Sequence, residues 1–78
     1  MSNAALPSSV AVVISLTADY RERMSEVVAA LRVAGLNVTR QLHSLGQITG
    51  TVSRERLTDL ERVPGVAYVE QSGEYHAL

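Results

Sequence analysis

An α+β domain, a four-stranded antiparallel sheet with two helices on one face, is predicted by the way this sequence alternates its apolar patterns. Short β-branched runs of strand type flank two stretches with helical periodicity, and the links between them are too short to hold further elements. The order reads strand, helix, strand, strand, helix, strand. With right-handed crossovers that order gives the ferredoxin-like βαββαβ arrangement, in which the second sheet face is left without a helix.

Each element has its own reason. "SVAVVISL" (residues 9–16) is continuously apolar and β-branched, as a strand in the middle of a sheet should be. In "TADYRERMSEVVAALRVAG", Tyr20, Met24, Val27, Val28, Leu31 and Ala34 share one helical face, and Arg21, Arg23, Glu26 and Arg32 share the other. Asp19 and Glu22 have the spacing of a capping box, and Gly35 stands where a helix stops. "LNVTRQLHS" alternates, with Leu36, Val38 and Leu42 on one side and Asn37, Thr39, Gln41 and His43 on the other. "QITGTVS" alternates too, with Ile48, Gly50 and Val52 inward, and the link through residues 44–46 suits a hairpin. Ser53 is placed to N-cap a short helix whose Leu57, Leu60 and Val63 form one stripe. Pro64 and Gly65 end it, and "VAYVE" (residues 66–70) is the last strand.

The expected domain therefore spans residues 9–70. Residues 1–8 are expected to be disordered, Ser2, Asn3 and Ala4 being compatible with a cloning remnant, and residues 71–78 form an extended tail. The start of the chain has neither a basic segment nor a long apolar one, so it reads as no secretory signal and favours the cytoplasm. The longest apolar run is far too short for a bilayer span, and no membrane partner is expected.

Composition removes several chemistries. The 78 residues contain no cysteine, hence no disulfide, thiol nucleophile or thiolate metal site. All seven basic residues are arginine, so a Schiff base or a P-loop lysine is excluded. A net charge of −1 gives no footprint for nucleic acid, and the central strands lack the aromatics of an RNA-binding sheet. His43 and His76 are the sole histidines and lie far apart in sequence, so no metal or other cofactor is expected. No serine sits in a nucleophile-elbow context, and Glu55, Asp59 and Glu61 belong to the solvated side of the short helix. The chain is not expected to be an enzyme.

The end of the chain carries a resemblance. "LTDLERVPGVAYVE" followed by "EYHAL" resembles the propeptide and inhibitor family of subtilisin-type serine proteases: a short helix, a proline turn, a small–Tyr–Val–Glu strand and an apolar tail containing His-Ala. That resemblance implies a protease inhibitor, with a chaperone-like role in folding the protease as its companion function. The open sheet face would dock on the protease, and the tail would lie in the substrate cleft as an added strand. Leu78 would then fill the primary pocket, Tyr75 the pocket three residues upstream and Ala77 the cramped position between, with His76 near solvent. Glu70 would face helix N-termini of the protease, and Ser72 replaces a second acid that the family usually has. The alternative is a small regulatory domain of the same fold that binds a ligand and dimerises through its sheet. Weak self-association through that face is compatible with either reading.

Overall fold

The computed structural model describes residues 9–75, the last three of them as backbone. Four strands are present: β1 (Ser9–Leu16), β2 (Asn37–Leu42), β3 (Gln47–Ser53) and β4 (Val66–Tyr75). Two helices join them: α1 (Met24–Val33), entered through a 3₁₀ segment at Ala18–Arg23, and α2 (Leu57–Glu61), entered through one at Arg54–Arg56. All pairings are antiparallel in the order β2-β3-β1-β4, which is the ferredoxin-like arrangement that the sequence predicts.

β1 explains the layering. Its residues alternate between half-buried and buried, and Val10, Val12, Ile14 and Leu16 all point into the core. They meet Met24, Val27, Val28 and Leu31 of α1, Leu60 of α2, and Ile48 and Val52 of β3. Tyr20, Leu57, Val66 and Val69 complete the cluster from its margin. With no Phe or Trp, close packing is reached with aliphatic side chains and one tyrosine ring. At Gly65, where φ is 96°, an added Cβ would come within 2.7 Å of that ring. The glycine therefore allows the turn into β4 both its left-handed conformation and its seat on Tyr20.

Helix ends differ in part from expectation. α1 does stop at Gly35, through paired bonds from Leu36 N–H to the Leu31 carbonyl (2.9 Å) and from Gly35 N–H to the Arg32 carbonyl (3.0 Å). The Asp19–Glu22 capping box does not form. The 3₁₀ segment begins after Thr17, which makes no side-chain cap, and its buried hydroxyl has no hydrogen-bond partner. Ser53 occupies the N-cap position of the second helical segment, also without a side-chain cap.

Two strands depart from simple alternation. In β2, Val38 pairs with Gly50 but the next pair is Arg40 with Thr49, so one extra residue is accommodated. The bulge reverses the facing of the residues beyond it: Leu42 pairs with Gln47, on the open face instead of the core. β4 runs five residues beyond Glu70. Gln71 pairs with Val12, Gly73 with Ala11, Glu74 with Val10 and Tyr75 with Ser9. Residues 71–75 are thus part of the sheet and not an extended tail.

Candidate functional site: the open sheet face and its β4 edge

With both helices on one side, the opposite face is formed by alternate residues of every strand. β1 contributes Ser9, Ala11, Val13 and Ser15, and β3 contributes Gln47, Thr49, Thr51 and Ser53, all half-buried. Registers carry the rows outward. Leu42, Gln47, Ser15 and Tyr68 form one row, Arg40, Thr49, Val13 and Glu70 the next, and Asn37, Thr51 and Ala11 a third. The two central strands therefore present no charge. One cation and one carboxylate stand at opposite margins.

Three pairs of polar side chains on this face bond to one another. The Thr39 and Thr49 hydroxyls are 2.9 Å apart, Asn37 Nδ2 donates to Thr51 Oγ1 at 3.4 Å, and Gln47 Nε2 donates to Ser15 Oγ at 3.4 Å. Covering such a face costs little desolvation, because few hydrogen-bonding groups would be stranded. Tyr68, 54% exposed, adds an aromatic ring at the margin.

β4 is also an edge strand, so one side of its backbone has no partner strand among the described residues. Bulges interrupt its ladder with β1 at Ala67 and at Ser72. Beside it a hollow of about 200 Å³ is lined by Glu61, Val66, Ala67, Tyr68 and Val69. Glu61 and Glu70 are exposed, and neither has an ion pair or a side-chain hydrogen bond within the described residues. On the helical side, a second hollow of about 190 Å³ lies between Tyr20, Arg23, Glu26, Val27, Ala30 and Pro64. Its cation is already engaged. Arg23 donates to the Glu26 carboxylate at 2.9 Å and lies 4.5 Å from the Tyr20 ring centroid. The hydrogen bond to Glu26 holds its guanidinium above the ordinary arginine pKa.

Of the residues singled out in the sequence, Glu70 lies exposed on the open face of β4, and Ser72 is exposed at the second β4 bulge. Tyr75 pairs with Ser9 through its backbone. His76, Ala77 and Leu78 lie outside the described residues. His43 is exposed in the 3₁₀ turn between β2 and β3. No group of three or more His, Cys, Asp or Glu side chains is gathered among the described residues. No helix among them is long and apolar enough to cross a membrane. Sequence reading missed Leu42, Tyr68 and the Glu61 hollow. Arg40 held a clue: strict alternation would have put it beside Val38 and Leu42 against the core, which an unpaired charge resists.

These features define the class: a ferredoxin-like α+β domain with an uncovered, charge-poor sheet face and a free edge. No protein-family model and no curated protein matches the sequence. Among solved structures, the chain is similar to the solution structure of NapD, a Tat proofreading chaperone of E. coli. The TM-score is 0.65 and the identity 19%, over 90% of this chain and 77% of that one.

The comparison corrects the resemblance drawn from the C-terminal residues. The fold is shared with a chaperone, and the chain matches no propeptide or inhibitor family model. The physical reason lies in β4. A product-like inhibitor needs a free arm beyond its last strand, whereas here the backbone through Tyr75 is paired to β1. Inhibition of a subtilisin-type protease, and that protease as partner, are therefore withdrawn.

Proposed function

We propose that this protein is a peptide-binding chaperone of the Tat proofreading type, which holds the twin-arginine signal peptide of an export substrate before translocation. It is a binding protein and not an enzyme, and it works in the cytoplasm, on the side of the membrane where such signals are first exposed. The observation that carries the reading is the open face, uncharged across β1 and β3 and with three pairs of its hydroxyls and amides bonded to one another. A signal peptide joins arginines to an apolar stretch. The apolar stretch suits a face of Ala11, Val13, Leu42, Tyr68 and threonine methyls, and the arginines suit the carboxylates at the β4 margin. The similarity to NapD supports the same reading through the fold.

Calorimetric titration with a synthetic twin-arginine signal peptide is the test. Val13→Lys is the informative variant, because Val13 is central on the face and paired with Glu70, which would receive the new ammonium. Binding should weaken at least tenfold, about 1.4 kcal/mol, while the melting temperature stays close to that of the parent. Undiminished binding by this variant would remove the open face from the function. Failure of the parent protein to bind any twin-arginine peptide would remove the function itself.

A further inference from the structure

We propose that this chain associates head to tail with further copies of itself, β2 of one copy pairing with β4 of the next. The contact lies at the edges of the sheet and not on its open face, and it stands or falls apart from the signal-peptide reading. In the order β2-β3-β1-β4, each of the two outer strands has one side without a partner strand among the described residues. Neither carries proline or lysine, two common means of blocking strand addition. Bulges do restrict both edges, at Thr39 in β2 and at Ala67 and Ser72 in β4. Beside them lie regular stretches, residues 40–42 of β2 and 68–71 of β4. The registers place residues 40–42 in the same rows as residues 68–70.

Charge selects the pairing. β2 carries Arg40 and no acid, whereas β4 carries Glu70 and Glu74 and no base. Either edge against its own copy gathers like charges, while β2 against β4 gathers opposite ones. Strand direction agrees. Every pairing within the sheet is antiparallel, so β2 and β4 run in opposite directions. A copy set beside the first in the plane of the sheet therefore adds a further antiparallel pair. Four strands are an even number, so the alternation of hydrogen-bonded and non-bonded pairs stays in phase. Each row then continues into the next copy. Arg40 meets Glu70 of the second copy, and neither has an ionic partner among the described residues. Leu42 meets the exposed Tyr68 in the neighbouring row. Gln41 shares its row with Ile48 and Val69, on the helical side. There it faces the hollow of about 200 Å³ lined by Val69 and Glu61, whose carboxylate accepts from an amide. Successive side chains of β2 thus find complementary groups along β4. The contact joins two different surfaces, so each added copy leaves an edge free and association continues past two.

Sedimentation velocity over a concentration series tests this on the parent, Arg40→Glu, Glu70→Arg and an equimolar mixture of the two variants. Both side chains are exposed and have no ion pair among the described residues, so the variants fold. The average mass of the parent should rise with concentration past that of a dimer, and added salt should lower it. Each variant alone should associate roughly fivefold more weakly or worse, the scale of an exposed ion pair. The mixture should recover the parent's behaviour, since the exchanged charges again oppose each other. Amide exchange at high against low concentration should protect residues 40–42 and 68–70 together. A parent that stays monomeric overturns the proposal. A mass that levels off at a dimer, or protection at one edge alone, assigns the contact to a closed pair and overturns it too. Variants that associate as strongly as the parent, or a mixture as weak as its components, would do the same.

Discussion

Gly50 shows how one residue sets the shape of the face. It lies in β3 opposite Val38, where the β2 backbone approaches so closely that an added Cβ would collide with the Asn37 carbonyl oxygen. The close approach sits beside the bulge that turns Leu42 onto the open side. Gly50→Val should therefore force β2 outward, at a cost of about 1–3 kcal/mol in the manner of an overpacked core. For a domain of this size each kcal/mol lowers Tm by roughly 4–8 °C. Thermal unfolding checks this, and a Tm equal to that of the parent would show that β2 does not need the approach. At the same scale the exposed ion pairs matter little. Arg23 with Glu26 and Arg56 with Asp59 are solvent-facing i,i+3 pairs, each joining a 3₁₀ segment to the helix that follows it, and they add little to stability.

Among the elements, β4 departs furthest from what its residues suggest. "QSGEY" has the composition of a tail, with a glycine and polar side chains and no apolar alternation. Its strand conformation comes from β1, whose first residues would otherwise lack a partner on that side. Removal of residues 71–78 should therefore destabilise the domain. Four register pairs with β1 are lost, and at about 0.5–1.5 kcal/mol net for the hydrogen bond each pair contributes on average the expected loss is about 2–6 kcal/mol. Denaturant unfolding of the truncated and complete chains measures it, and identical midpoints would make this end of β4 dispensable for folding. The other elements were legible because their burial is local. The alternation of β1, the stripe of α1 and the glycine stop at Gly35 are each written within one segment. The β2 bulge and the end of β4 depend on the neighbouring strand, and strand conformation is more context-dependent than helix.

At the level of the whole molecule, the sequence led to the correct architecture and to an uncovered face, but to the wrong partner. The motif behind that error, a tyrosine–valine–glutamate strand followed by His-Ala and an apolar end, occupies few positions. Fold similarity to the NapD structure extends over 90% of the chain. Glu70 was singled out from sequence for contact with a protease, the partner now withdrawn. Its place in a row with Arg40, Thr49 and Val13 follows from three strand registers that no local pattern encodes. Under the proposed function, charge at the margins and an uncharged centre predict two separable contributions to binding. The arginine contribution should weaken with added salt, since exposed charges are screened within a Debye length of about 8–10 Å. The apolar contribution should persist. Calorimetry at low and high ionic strength separates them, and affinity indifferent to salt would exclude the carboxylates.

Amide hydrogen exchange, with and without a twin-arginine signal peptide, tests the chaperone reading most directly because it reports on every strand at once. The reading predicts added protection along the β4 edge and over the strands that form the open face, with the amides of α1 and α2 unchanged. Protection confined to α1 and α2, or none at saturating peptide, would contradict it.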